Sequence, residues 1–215
     1  GKTWAVPTTP ATTALHWNKE MFRKAGLDPE RPPRTIEEMD AMAERLTVRD
    51  RTGRIVQMGF LPWEPGWWNW AWPCYFGGRL WDGREKITCD EPEAVASCRW
   101  VRSYSEKYGT GPVQVFTSGF GNFASPQNAF MAGKVAMEMQ GTWMYNFIRE
   151  YAPRMQWGAA PFPTARPGLF GMSCAGMDVL VIPRDSRHPE AAFEFLEYVI
   201  SGEGMENLCM GQRKF

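Results

Sequence analysis

Histidine is scarce in this 215-residue chain, which has only His16 and His188, and neither sign of charge is in excess: lysine plus arginine equals aspartate plus glutamate at 24 each. Two histidines cannot build a multi-histidine metal centre and argue against a His-based nucleophilic triad. Balanced charge without a dense basic run leaves no field to recruit nucleic acid or an anionic membrane surface. Long apolar runs are also missing. None approaches the roughly 18 to 20 residues that span a bilayer, and no basic-plus-apolar leader opens the sequence. The five cysteines, Cys74, Cys89, Cys98, Cys174 and Cys209, fall in no CxxC or Cys/His ligand spacing. An odd count leaves at least one thiol free or paired between chains, and buried, inert cysteine is the expectation. No metal and no cofactor are expected, and the partner suggested is a neutral molecule. The length suits one large or two modest domains with a real core.

Tryptophan is what the chain has in quantity. The stretch Trp63-Glu64-Pro65-Gly66-Trp67-Trp68-Asn69-Trp70-Ala71-Trp72 sets five indoles beside a carboxylate. An indole joins an apolar face to a polar handle. The C–H faces of sugar rings stack on such surfaces, while a neighbouring carboxylate and amide take the hydroxyls. The segment therefore points to a carbohydrate-like ligand.

Periodicity lays out alternating strands and helices. Lys2–Thr8 alternates as a short strand, and Leu15–Ala25 predicts an amphipathic helix closed at Gly26. Thr35-x-x-Glu38 is a capping box ahead of the Met39, Met42, Ala43, Leu46 stripe. Ile55–Leu61 reads as a buried strand whose end carries the Trp cluster, the place where open α/β folds put ligands. Asp82-Gly83 marks a hairpin-like turn, and Glu91–Tyr108 a long helix. Ser125 is expected to cap a helix through Ala132. Val135–Gln140 follows as a strand, Thr142–Tyr151 as a helix, Gln156–Ala160 and Met177–Ile182 as strands, and Pro189–Ile200 and Gly204–Met210 as closing helices. Interleaved strands and helices argue for α/β layers.

Several segments resemble the extracellular solute-binding proteins of ABC importers, the group that includes maltose-type receptors. They are Gly1-Lys2-Thr3-Trp4-Ala5-Val6-Pro7; Leu15-His16-Trp17-Asn18-Lys19-Glu20-Met21-Phe22 with Ala25-Gly26-Leu27; and Pro32-Pro33-Arg34-Thr35-Ile36-Glu37-Glu38, where Ile36 replaces the usual Trp. The most specific is Ala129-Phe130-x-x-Gly133-Lys134-x-Ala136-Met137-x-x-x-Gly141-x-Trp143, and His188-Pro189-Glu190-Ala191-Ala192-x-Glu194-Phe195-Leu196 comes later. The resemblance runs from Gly1 to about Phe215. It implies a type II periplasmic-binding-protein-like fold of two lobes, each a mixed sheet flanked by helices, here mainly the C-terminal lobe. On that basis residues 1–8 and 174–215 belong to the first lobe, and 9–173 form the second with most of the retained cleft. The chain is expected to be a piece of a larger protein.

The resemblance implies a receptor, not an enzyme. It would bind a sugar or oligosaccharide by Trp stacking between lobes and deliver it to ABC transporter permease subunits in the membrane, from a periplasmic or cell-surface location with lipid anchoring left open. Its family segment of carboxylate, proline and aromatic maps onto Glu64, Pro65, Trp67 and Trp68, and its Gly-x-Trp turn onto Trp143. Tyr145 and Gln140 would rim the same face, Trp63 is undecided, and Ser173 can reach the cleft. Trp70 and Trp72 are expected in the core. Glu138 alternates with methionines and suits a surface strand position. Two other readings stay open: a same-fold receptor for a polyamine, phosphodiester or peptide, and a glycoside hydrolase. The hydrolase would need two carboxyls about 5 to 9 Å apart, from among Glu64, Asp82 and Glu138.

Overall fold

The computed structural model describes residues 3–66 and 69–212. Its first element corrects the sequence reading. β1 is one strand from Val6 to Asn18, and helix α1 begins only at Lys19 (Lys19–Lys24). Residues 15–18 are buried in the sheet, where the ladder overrides their helical spacing. Asn18 then ends the strand by capping α1, its Oδ1 accepting from the Glu20 and Met21 N–H groups.

β1 serves two neighbourhoods. Its first half pairs antiparallel with β6 (Ala175–Leu180), from Val6 opposite Leu180 to Thr12 opposite Ala175. Its second half lies between β4 (Val135–Gly141) and β5 (Trp157–Ala160), both antiparallel to it. β3 (Ile55–Phe60) runs parallel to β4, and short β2 (Val48–Arg49) edges β3, giving the mixed order β2-β3-β4-β1-β5.

One face of this sheet is covered by α2 (Ile36–Leu46), α3 (Trp72–Tyr75) and α4 (Pro92–Tyr108). Phe60, Trp72, Tyr75, Trp100, Tyr104 and Phe162 interlock there, with ring centroids 4.7 to 6.4 Å apart. Close approach needs Gly59, because a Cβ there would stand 2.1 Å from the Ala43 carbonyl oxygen of α2. α2 starts as expected, with Thr35 Oγ1 accepting from Glu38 N–H at 3.2 Å. The Glu38 carboxylate, however, takes the Arg34 N–H at 2.9 Å, one residue before the cap. The opposite face packs on α6 (Met144–Tyr151) and the 123–133 turns through Phe130, Met144 and Ile148.

The expected helix from Ser125 is a series of turns. Ser125 Oγ accepts from Gln127 N–H, and Asn128 Oδ1 from the Phe130 and Met131 N–H groups, so local side-chain acceptors compete with a helix. Helix α5 (Thr110–Thr117) had no expected counterpart. The Asp82-Gly83 turn holds, with Trp81 bridged to Ile87. α7 (Pro189–Ile200) and α8 (Gly202–Gln212) close the chain. None of the five cysteines is buried and all are free thiols, contrary to the expectation of inert core cysteine.

Candidate functional site

Parallel strands bring their C-terminal ends to one edge, and β3 and β4 do so here. The loop after Phe60 carries Trp63 and Glu64, while Gln140 ends β4 and Trp143 follows one turn on. Trp63 is half-buried against the main core. Glu64 is half-buried, and that burial alone pushes its carboxyl above the ordinary carboxylate value. Trp67 and Trp68 lie outside the described residues.

Trp143 is held on two sides. Its Nε1–H donates to Gln140 Oε1 at 3.0 Å, and its ring lies over Gly141, where an added Cβ would come within 2.4 Å of the indole. Gly141 is thus the residue that lets the indole fold back on the strand. Phe123 meets the ring edge-on at 6.0 Å. The indole is partly exposed. Tyr145, in the first turn of α6, is 54% exposed.

Glu138 is the residue sequence reasoning placed wrongly. It is 1% exposed, inside a strand buried at all seven positions. Burial pushes its carboxyl up to about 8 against the Asn128 hydrogen bond, which lowers it; the Glu64 charge adds less to the rise, and Gln140 lowers it least. Asn128 Nδ2–H donates to Glu138 Oε1 at 3.2 Å. The Gln140 amide lies close enough to favour the ionised acid, yet Glu138 Oε2 and Gln140 Nε2 have no hydrogen-bond partner. Buried polar atoms left unpaired cost about 1–3 kcal/mol each, and folds rarely keep them without a use. A signal was present. Glu138 and Gln140 share one strand face, set into Val135-Ala136-Met137-x-Met139, and a buried polar residue is the informative kind.

Other assignments divide. Trp72 is core, its Nε1–H donating to the Pro62 carbonyl at 3.1 Å. Trp70 is 56% exposed and is not core. Trp70 does not continue a helix from Trp63, because residues 62–66 form turns and bends and Asn69–Ala71 only a 3-10 turn. Ser173 ties the strand crossing: its Oγ donates to the Thr13 carbonyl at 2.7 Å and accepts the Thr13 N–H at 3.1 Å. Tyr75 reaches the same crossing from α3, sharing a short hydrogen bond with Thr13 Oγ1 and accepting the Cys174 N–H at 3.1 Å. Asp82 Oδ1 accepts three backbone N–H groups of its own exposed turn, which hold its carboxyl below the ordinary value. That carboxyl is committed to the turn. Among the described residues no three His, Cys, Asp or Glu gather as a metal site, and no helix is long and apolar enough to cross a membrane.

A one-lobed mixed sheet with indole, amide and carboxyl functions at the C-terminal ends of two parallel strands is the build of a solute-binding lobe. The model of the bacterial extracellular solute-binding protein family matches residues 1–206, and the chain belongs to that family. The solved structure of CpMnBP1 with mannobiose bound is 33% identical, superposes with a TM-score of 0.87, and is covered over 53% of its length by 97% of this chain. An ABC transporter solute-binding protein of Thermotoga lettingae bound to α-D-tagatose is 25% identical, with a TM-score of 0.74 and coverage of 97% and 53%. The maltodextrin-binding protein MdxE of Bacillus subtilis is 25% identical over 205 residues, 92% of this chain and 46% of that protein. The chain spans about half the length of the curated relatives it matches. The fold is accordingly that of one lobe of a type II periplasmic binding protein.

Proposed function

We propose that this chain supplies one lobe's share of a sugar or oligosaccharide site in the substrate-binding receptor of an ABC importer, which hands its ligand to permease subunits in the membrane. The observation that carries the reading is Trp143: an indole held by Gln140 against Gly141 and partly exposed, on the edge where Glu64 stands. Trp143 stacks on a sugar ring, Glu64 and Gln140 take hydroxyls, and Trp67, Trp68, Trp63 and Tyr145 extend the surface. This is the usual division between apolar contact and a few orienting polar groups. A Glu64 carboxylate on this edge disfavours an anionic phosphodiester.

The dual pairing of β1 supports a division into a first lobe, residues 1–8 and 174–215, and a second, residues 9–173, with Ser173 and Tyr75 bracing the crossing. Domain closure about such crossings buries a ligand. The receptor works outside the cytoplasm, in a periplasm or at the cell surface. Calorimetric titration of the chain with mannobiose, maltose and longer oligosaccharides tests the reading. Saturable, product-free binding supports it; no binding to any sugar sends the assignment to polyamines or peptides.

A further inference from the structure

The end of β3 and β4 away from the Trp143 edge holds a cavity that the sugar reading does not use. Arg54 immediately precedes β3 and Lys134 immediately precedes β4, and the strands are joined there by the Met58 N–H donating to the Lys134 carbonyl at 2.9 Å. Between these strand starts and α5 lies a trough of about 380 Å³, within the range of small-molecule pockets. Its walls are apolar and open. Val56 of β3 is 38% exposed and Val115 of α5 is 58% exposed, while Phe116 and Phe120, which meet edge to face at 5.0 Å, are only partly buried. Its charge is all of one sign. Arg54 and Lys134 line the trough and no Asp or Glu does. Among the described residues neither cation has an ion pair or a side-chain hydrogen bond. Asp50, the acid of the adjoining turn, directs its Oδ1 back into that turn, to the Thr52 and Arg54 N–H groups and the Thr52 hydroxyl.

We propose that this trough is a second ligand site, separate from the sugar edge, and that it takes a small amphiphilic carboxylate. Arg54 and Lys134 hold the carboxylate, and the hydrocarbon part lies on Val56, Val115, Phe116 and Phe120. The charge and the walls together select this class. A guanidinium takes a carboxylate through two parallel N–H···O bonds, and an ammonium beside it adds a third charged donor. Open apolar side chains gathered around a concavity mark a binding surface, and an alkyl or aryl group covers them as water cannot. A sugar suits the trough poorly, because no indole and no acid lines it. The two sites stand at opposite ends of the same two strands, so their ligands do not compete.

The test is amide NMR of the intact chain at pH 7, titrated with hexanoate and separately with hexanamide, its neutral counterpart. Hexanoate is expected to give saturable shifts centred on Val56, Val115, Phe120 and Lys134, the same with or without mannobiose. Hexanamide should bind at least about tenfold more weakly, since it forfeits the charge-assisted bonds. Arg54→Gln combined with Lys134→Gln changes two exposed side chains, and its own spectrum reports whether the fold is kept. That variant should weaken hexanoate by at least about tenfold and leave hexanamide unchanged. Absence of saturable shifts around the trough overturns the proposal. So do equal affinities for hexanoate and hexanamide, or undiminished hexanoate binding in the double variant. Shifts at the same residues that grow with protein concentration alone assign the trough to a second copy of the chain, and overturn it as well.

Discussion

β4 and β6 are both apolar strands hydrogen-bonded to β1, yet all seven positions of β4 are buried while five of the six in β6 are exposed. β4 has a packed layer on each face. β6, with α7, presents Met177, Val179, Phe193, Phe195 and Ile200 to solvent. An apolar strand is buried only by what is built around it, and contiguous apolar surface of this kind marks an interface. The contrast supports the proposed division, in which residues 9–173 make up one lobe and 174–215 belong to the other.

The largest effect that can test the contrast lies in residues 9–173. Phe60→Ala removes a fully buried ring packed on Trp72, Trp100 and Tyr104, and urea unfolding is expected to show a loss of about 3–5 kcal/mol. A loss below about 1 kcal/mol would mean that the aromatic layer does not hold these residues together. Thr35→Ala should cost about 1 kcal/mol by removing the α2 cap. On β6, Val179→Ala should change stability by no more than about 0.5 kcal/mol, since Val179 is 51% exposed. If it costs as much as Phe60→Ala, the ribbon is part of the same core.

Acidity separates two buried groups that face each other across β1 and β4. His16 is neutral in the fold, held at about 4, but gains a proton in the unfolded chain below its ordinary 6.5. Stability from His16 is therefore present above 6.5 and lost as pH falls toward 4. Glu138 keeps its proton in the fold to about 8, whereas the unfolded chain loses it near 4.5. Its contribution is present below 4.5 and lost as pH rises toward 8. The two oppose between 4.5 and 6.5, and between 6.5 and 8 the Glu138 slope is left alone. Thermal melts without ligand should show Glu138→Gln flattening the fall from pH 6.5 to 8, and His16→Gln unmasking the Glu138 slope, so that stability falls with rising pH from about 4.5. An unchanged profile in Glu138→Gln would place that side chain in contact with water.

The layered α/β class, α2 with its cap, β3, α4, and the Gly-x-Trp turn were legible because each depends on local periodicity or a short motif. The errors came where distant residues decide. Residues 15–18 have helical spacing but are claimed by ladders to β4 and β5. The 125–132 segment lost its helix to Ser125 and Asn128 acceptors. Trp70 and Trp72 looked alike in sequence, and only the packing of α3 against Phe162 and Trp100 separates core from surface. At the candidate site, Glu64 and Trp143 were picked out through resemblance to a family pattern, and Gln140 through its amide at the strand end before Gly141. Glu138 was not, because two-residue alternation on a strand does not tell a solvent face from a second buried one.

The account turns on the edge where β3 and β4 end. Mannobiose titration of the intact chain at pH 7, followed by tryptophan fluorescence and calorimetry beside Trp143→Ala, tests it most directly. Saturable binding that disappears in Trp143→Ala, with the variant still folding cooperatively, is the predicted result. Undiminished binding in Trp143→Ala would contradict the account and move the sugar away from this edge.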